Sequence, residues 1–159
     1  ALKGLGFAHK TEAGAVRLGV TDPCNDAEMP GAQGYLCEEM VTGGLAELLV
    51  GIRRDPVYGA TLTLGMGGVT AELLADTVTL VAPVTRAEIE TALKGLKLWP
   101  LLDGWRGRAK PAVGRAIDAA LAMQTMMATD PALQEIEVNP LILTANEAVA
   151  VDAVIWRTS

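Results

Sequence analysis

Apolar and polar positions alternate in short runs along the first half of the chain, a pattern typical of β-strands. Each run is rich in β-forming residues and is bounded by Gly, Pro, Asn or Asp. The pattern predicts strands at residues 15–20, 34–40, 45–54, 60–64 and 77–81. A polar, turn-rich stretch over residues 22–33 interrupts them and predicts a loop or a boundary between two lobes.

The second half of the chain adds helices. Thr85 and Glu88 have the spacing of a capping box, in which a hydroxyl and a carboxylate satisfy backbone N–H groups at a helix start. The apolar residues that follow at helical spacing are Ile89, Leu93 and Leu96. A second helix is predicted from Pro111 to about residue 128, because proline suits a first helical turn. Strands, then helices, then a closing hairpin over residues 135–155 indicate an α+β fold.

Composition and charge exclude several classes of protein. The chain has 159 residues and a formal net charge of −6, which is against a nucleic-acid-binding protein, since such proteins carry a basic surface. No apolar run reaches the ~18 residues that span a bilayer, and no secretory signal is recognisable. Cys24 and Cys37 are too few for a disulfide framework, so we interpret both as reduced thiols and expect a cytoplasmic protein.

Basic residues are concentrated in one segment of this acidic chain. Six of them lie between Lys94 and Arg115, together with a single acid, Asp103. Runs of charge are usually solvated faces, which is the simpler interpretation of this segment. The alternative is a docking surface for an anionic ligand or for another, acidic domain.

The strongest chemical signal lies in the C-terminal hairpin. If its turn is centred between residues 145 and 146, Asn139 lies directly opposite Asp152. Glu137 then lies on the same face, because side chains two apart on a strand point the same way. Three oxygen ligands suit Mg²⁺, which is usually held by one or two carboxylates plus substrate phosphates. A polar-faced hairpin without metal is the alternative, and Pro140 could introduce a bulge.

Two further features could carry chemistry. The glycine cluster Gly65–Gly68 could cradle phosphates with its backbone N–H groups, or it could form a tight turn between strands. It lacks the lysine of a P-loop. His9 is the single histidine, which excludes a zinc site built on several histidines. It is either a structural or surface residue or a nucleophile for phosphoryl transfer.

The hairpin sequence also carries a family resemblance. Glu137-Val138-Asn139-Pro140-Leu141, followed by Ala150-Val151-Asp152, resembles the end of ATP-grasp domains in acyl-CoA synthetases that form a nucleoside diphosphate. The succinyl-CoA synthetase β subunit shares this ending. Segments that match the same family in the same order are residues 2–4 with 8–16, 38–59, 65–76 and 100–108. The resemblance therefore covers nearly the whole chain.

The resemblance implies an ATP-grasp fold with two α+β lobes that clasp a nucleotide. Residues 1–39 would be part of the smaller lobe, and residues 40–159 the larger lobe with the glycine-rich turn, two helices and the metal-binding hairpin. It also implies that the domain is incomplete, because the family has an N-terminal part ahead of Lys3. Between Asp22 and Gln33 the family has a longer stretch that includes a helix.

The same resemblance implies roles for individual residues. Lys3 is expected to neutralise nucleotide phosphates, as a compact positive charge can. The hinge strand whose backbone hydrogen-bonds adenine is expected to consist of Glu38, Glu39, Met40 and Val41. Glu47 is expected near the ribose or the phosphates. Asn139 and Asp152 are expected to hold Mg²⁺ with Glu137 in support, and His9 is expected to be a second relay for the phosphoryl group.

The function implied is that of the ATP-grasp portion of an ADP-forming acyl-CoA synthetase, an acid–thiol ligase. Mg-ATP would donate a phosphoryl group to drive the ligation of an acid to CoA. The expected partner is a CoA-binding and phosphohistidine domain or subunit, without which this chain would not complete the cycle, and the full-length protein is expected to be an oligomer. No nucleic acid or membrane is expected as a partner. The alternatives are a ligand-sensing regulatory domain of a protein acetyltransferase and a succinyl-CoA synthetase β-like subunit.

Overall fold

The structure is a computed structural model that describes residues 1–7, 13–25, 28–68 and 74–158. It contains both helices and antiparallel sheets, which confirms the α+β class. The chain divides into two compact units, Ala1–Thr42 and Gly43–Ser159. The division follows Thr42, and the lobe boundary between residues 39 and 40 that the resemblance implied stays a prediction.

The first unit contains a three-stranded antiparallel sheet. Its central strand is β1 (Leu2–Leu5), flanked by β2 (Val16–Arg17) and β3 (Gly34–Cys37). The strand predicted over residues 15–20 is shorter because Gly19 has a φ of +69°, which an extended strand does not accommodate. Within the described part of this unit, Leu2, Ala15 and Met29 form the buried apolar cluster.

The turn-rich stretch after β2 forms a loop, as predicted. Residues 22–25 and 28–33 contain no helix or strand. The Asp22 carboxylate accepts hydrogen bonds from the backbone N–H of Cys24 at 3.2 Å and from the Asn25 side chain at 2.7 Å. This is the local side-chain bonding by which aspartate favours a turn.

The second unit is built on a six-stranded antiparallel sheet. Its strands are β4 (Ala46–Asp55), β5 (Gly59–Met66), β6 (Thr77–Val81), β7 (Leu133–Leu143), β8 (Ala148–Ala150) and β9 (Ala153–Arg157). The strand order is β6-β5-β4-β7-β8, and β9 continues beside β7 where β8 ends. All residues of β9 are exposed, and within the described chain β9 pairs only with β7.

Helices form the other layer of this unit. They are α1 (Arg86–Lys94), α2 (Trp99–Leu102) and α3 (Val113–Thr129), with a 3₁₀ turn at Trp105–Gly107. The capping box at Thr85 and Glu88 is confirmed, with both reciprocal hydrogen bonds formed. The helix predicted from Pro111 starts later because Ala112 is not helical and donates its N–H to the Thr144 carbonyl at 2.8 Å. Among the described residues, no helix is long and apolar enough to cross a membrane.

The helices cover one face of the sheet. Leu48, Val50 and Ile52 of β4 point to that face and are buried in a single apolar core with residues of α1 and α3. Because strand residues alternate between faces, their neighbours Glu47 and Gly51 point the other way. We call this second side the open face of the sheet. It also carries Glu137, which pairs with Gly51 across β4 and β7.

Candidate functional site

The hairpin pairing predicted from the sequence is confirmed. Leu141 pairs with Ala150 on one side of the site, and Val138 pairs with Ala153 on the other. Between them, Asn139 donates its backbone N–H to the Asp152 carbonyl at 3.2 Å. Directly opposed residues present their side chains on the same side, so Asn139 and Asp152 lie next to each other.

A bulge in β7 lies at this point of the hairpin. Leu48 pairs with Leu141 and Val50 pairs with Val138, so Leu49 faces both Asn139 and Pro140. Pro140 has no N–H to donate to a ladder, which explains why the extra residue is accommodated here. The Asn139–Pro140 peptide bond is cis. The bulge that proline was expected to introduce is therefore present, and it affects the pairing with β4 while the pairing of Asn139 with Asp152 is kept.

Glu137 is the third oxygen ligand predicted at this site. It lies on the open face, and its carboxylate Oε2 would be 3.9 Å from a Cβ atom built on Gly51, so it extends over the bare backbone of β4. Partial burial raises the pKa of the Glu137 carboxyl, and the negative charge of Glu135 raises it further. A nearby cation would counteract both effects because it favours the ionised carboxylate.

The donor set of the hairpin fits Mg²⁺ better than a softer metal. Two carboxylates and one amide supply hard oxygen atoms, with Glu137 and Asn139 half-buried and Asp152 exposed. In the described part of the chain, no three His, Cys, Asp or Glu side chains cluster as a complete metal cage.

Lys3 and Glu38, two residues predicted to serve the nucleotide, contact each other. The Lys3 ammonium lies 2.5 Å from Glu38 Oε2, and the Lys3 side chain is only 11% exposed. The Glu38 N–H donates to the Ala1 carbonyl at 2.8 Å, which extends the pairing of β1 with β3 by one residue. A buried lysine is tolerated when an opposite charge lies beside it, and Glu38 supplies that charge.

The segment after Glu38 leaves the sheet. Glu39 and Met40 are exposed and Val41 is half-buried. No described residue forms a backbone hydrogen bond with Glu39, Met40 or Val41. Their N–H and C=O groups are therefore available to a ligand, although Glu38 uses its own N–H within the sheet.

Glu47 lies against the glycine cluster. Gly67 donates its N–H to the Glu47 carbonyl at 2.7 Å. Gly68 has a φ of +78°, and the Glu47 Oε2 atom occupies the place that a Cβ of residue 68 would need. The N–H of Gly67 is thus used within the fold, which is against its use in a phosphate cradle. The sequence did not predict the contact between Gly68 and Glu47. Its one indication of that contact is the pair of consecutive glycines that follows β5.

The basic segment is partly neutralised by local acids. Its carboxylate partners are found in the pairs Lys94–Glu90, Lys110–Asp103 and Arg115–Asp118. Arg106 instead lies over the Trp105 ring, 5.7 Å from its centre, and has a φ of +53°. All six basic residues of the segment are exposed, and three of them pair with a nearby carboxylate.

His9 lies outside the described residues, so its predicted role as a phosphoryl relay stays a prediction.

A family model described as an ATP-grasp domain matches residues 24–156. The chain belongs to the ATP-grasp family. It is an ATP-grasp region of the kind found in ADP-forming acyl-CoA synthetases, as the sequence resemblance predicted. The family and the fold are thereby confirmed together.

Several curated relatives of this ATP-grasp chain are ADP-forming ligases. It is 33% identical to acetate–CoA ligase [ADP-forming] I of Archaeoglobus fulgidus over 91% of its length, which is 23% of that protein. It is 29% identical to the beta subunit of acetate–CoA ligase [ADP-forming] I of Pyrococcus furiosus, of which it covers 68%. The chain thus spans about a quarter of the first relative and about two thirds of the second.

Solved structures show the same fold. One is dinucleotide-forming acetyl-coenzyme A synthetase 1 of Ca. Korarchaeum cryptofilum in complex with coenzyme A and Mg-AMPPCP, with its phosphohistidine segment pointing towards the nucleotide binding site. The similarity covers 99% of this chain and 76% of that chain, with a TM-score of 0.83 and 25% identity. The same enzyme with coenzyme A and Ca-AMPCP has a TM-score of 0.84 and 27% identity, covering 99% of this chain and 75% of that chain.

Proposed function

We propose that this ATP-grasp domain binds Mg-ATP and serves the ADP-forming ligation of a carboxylic acid to the CoA thiol. The reaction consumes the acid, ATP and CoA and yields acyl-CoA, ADP and phosphate. The observation that carries the proposal is the pairing of Asn139 with Asp152 beside Glu137, because it gathers the hard oxygen donors that a magnesium nucleotide requires. The ADP-forming ligases among the curated relatives support the reaction class.

Asn139 and Asp152 would hold Mg²⁺, with Glu137 in support. Bound there, the ion supplies positive charge to phosphoryl oxygens, which is the main requirement of phosphoryl transfer. The raised pKa of Glu137 fits this role, since burial and Glu135 disfavour its charge and a divalent ion would favour it.

Lys3 would neutralise the nucleotide phosphates, as its ammonium is a strong point charge. In the structure Glu38 satisfies this ammonium at 2.5 Å. Phosphate oxygens would join Glu38 as partners of Lys3. The unused backbone groups of Glu39, Met40 and Val41 would bind the adenine edge, and the exposed carboxylate of Glu47 would bind the ribose or phosphate end.

The first test is the removal of one metal ligand. Asp152→Ala is expected to weaken Mg-ATP binding by about 100-fold or more in titration calorimetry. Because Asp152 is exposed, the far-UV circular dichroism and the melting temperature are expected to stay close to those of the wild type.

The matched control is Glu147→Ala, which removes an exposed carboxylate from the turn of the same hairpin. It is expected to bind Mg-ATP like the wild type. Unchanged affinity in Asp152→Ala would contradict the magnesium assignment, and absence of Mg-ATP binding in the wild type would contradict the proposed function.

Residues 1–39 and 40–159 are proposed to be the smaller and the larger ATP-grasp lobe. The proposed partner is a domain or subunit that binds CoA and carries a phosphohistidine, within an oligomeric full-length protein. The phosphohistidine segment of the Ca. Korarchaeum enzyme and the subunit organisation of the Pyrococcus enzyme support this partner. The exposed free thiols of Cys24 and Cys37 support a cytoplasmic location.

His9 is proposed as a second phosphoryl relay, because histidine is a competent nucleophile for this group. In the presence of the partner domain, ³²P-labelled ATP is expected to give an acid-labile phosphate on the wild-type chain and none on His9→Ala. Labelling of His9→Ala at the wild-type rate would rule the relay out.

A further inference from the structure

We infer that the Gly67-Gly68 turn positions the Glu47 carboxylate for the nucleotide, and that residue 68 must lack a side chain for this reason. The inference rests on the proposed function, since it concerns the same nucleotide site. It assigns to the glycine cluster a role other than a phosphate cradle. In this role Gly68 is a positioning residue that acts through Glu47.

The Gly67-Gly68 turn lies close against the backbone of β4. A Cβ at residue 67 would lie 2.8 Å from the Leu48 carbonyl carbon and 2.9 Å from its oxygen, both backbone atoms. The hydrogen bond from Gly67 N–H to the Glu47 carbonyl, at 2.7 Å, closes the contact. The turn is therefore fixed against the backbone of Glu47 and Leu48.

Gly68 contacts the side chain of Glu47. A Cβ at residue 68 would overlap the Oε2 atom of Glu47 and would lie 3.4 Å from its Cδ. Oε2 is the far end of a flexible side chain, whereas Leu48 offers rigid backbone. A methyl group at residue 68 therefore displaces the carboxylate and adds only the strain of its positive φ, while one at residue 67 forces backbone apart.

The position of Glu47 in the sheet brings it close to the predicted magnesium ligands. Its Cα partner in β7 is Ile142, which follows the bulge at Asn139 and Pro140. Glu47 thus lies on the strand adjacent to the predicted magnesium ligands, near the bulged end of the open face. A carboxylate held there can accept hydrogen bonds from ribose hydroxyls or bind the waters of a magnesium ion, and both depend on where its oxygens lie.

The experiment compares two glycines with nearly the same φ. Gly68 has a φ of +78° and Gly59 a φ of +79°, but a Cβ at Gly59 would meet nothing within 4 Å. Alanine at either position bears the same left-handed strain. Both variants are expected to lower the urea midpoint by similar amounts, whereas only Gly68→Ala is expected to raise the Kd of Mg-ATP, by about tenfold.

A direct structural readout accompanies the binding assay. The ¹³C NMR signal of the Glu47 carboxyl carbon is expected to shift in Gly68→Ala and to stay in place in Gly59→Ala. If Gly68→Ala does not fold, Gly68→Asn and Gly59→Asn repeat the comparison, because asparagine tolerates positive φ better than alanine. Equal affinity in the Gly68 and Gly59 variants, or an unmoved Glu47 signal, would overturn the inference.

A double-mutant cycle then tests whether Gly68 acts through Glu47. Glu47→Ala is expected to weaken Mg-ATP binding, and adding Gly68→Ala to it is expected to cause no further loss. An equal additional loss in that background would overturn the inference. So would wild-type affinity in Glu47→Ala, whereas the proposed function fails separately, on wild-type binding or on Asp152→Ala.

Discussion

Glu137 illustrates how a single carboxyl group can be unfavourable for the protein alone and useful with a ligand. It extends over Gly51, half-buried, and it shares its face of β7 with the like charge of Glu135. Both features raise the pKa of its carboxyl. The folded protein therefore binds a proton at Glu137 more readily than the unfolded chain does.

The consequence is a defined dependence of stability on pH. Stability is expected to fall as pH rises from the ordinary glutamate pKa through the raised pKa of Glu137, and to stay reduced at pH 7. Glu137→Gln has no carboxyl to ionise and avoids this loss of stability. Its melting temperature at pH 7 is therefore expected to exceed that of the wild type by ~1–3 °C. Scanning calorimetry between pH 3.5 and 7 measures the difference, which is expected to vanish at the acid end.

The control for this comparison is Glu147→Gln, whose side chain is exposed in the hairpin turn. Its melting temperature is expected to equal that of the wild type at every pH. A Glu137→Gln protein that is less stable than the wild type at pH 7 would mean that the Glu137 carboxylate makes a favourable interaction in the ligand-free protein.

Arg54 connects elements that are far apart in sequence. Its guanidinium donates to the carbonyls of Met127 at 2.7 Å and Asp130 at 3.1 Å, at the end of α3, and to that of Leu133 at 2.8 Å, at the start of β7. The last carbonyls of a helix have no partner within the helix, and a cation there is favourable. One side chain of β4 thus fixes the passage from α3 into the strand that carries Glu137 and Asn139.

Arg54→Ala is accordingly expected to lower the free energy of unfolding by about 2–3 kcal/mol, as measured by urea denaturation. Arg53→Ala is the matched control. Arg53 is exposed, and because it precedes Arg54 on β4, its side chain points to the opposite face of the sheet. It is expected to change stability by less than about 0.5 kcal/mol. Equal losses in the two variants would show that the contacts of Arg54 contribute little.

Elements with strong local signals could be predicted from the sequence. The hairpin register follows from the turn residues 144–147, and α1 begins where Thr85 and Glu88 form their capping box. Contacts between distant residues could not be predicted. Two such contacts depend on how strands align and not on local sequence. They are the ion pair of Lys3 with Glu38 and the contact of Glu47 with Gly68. The helix α2 was missed because four residues are too short to show a helical period.

At the scale of the whole molecule, the two units differ in how much core they have. Among the described residues of 1–42, the core consists of Leu2, Ala15 and Met29, whereas the described part of 43–159 buries a far larger apolar set. Regions with few buried apolar contacts open at lower free energy than the rest of a protein. The first unit is thus expected to open independently and more often.

Amide hydrogen exchange can measure this difference. Protection in β1 and β3 is expected to be lower than in β4, β5 and β7. Leu2→Ala is expected to reduce protection within residues 1–42 alone, and Leu48→Ala, which truncates an equally buried leucine, is expected to destabilise the second unit by about 2–5 kcal/mol. Loss of protection throughout the chain in Leu2→Ala would show that the units unfold together.

The exposed strand β9 determines how the chain behaves at high concentration. Val154, Ile155 and Trp156 are 48%, 54% and 62% exposed on a strand that pairs, within the described chain, on one edge only. Such edges template the addition of further strands, and natural proteins often protect them with lysine. Concentrated solutions of this chain are therefore expected to associate through β9, and light scattering is expected to show that Ile155→Lys keeps the chain monodisperse without touching Asp152.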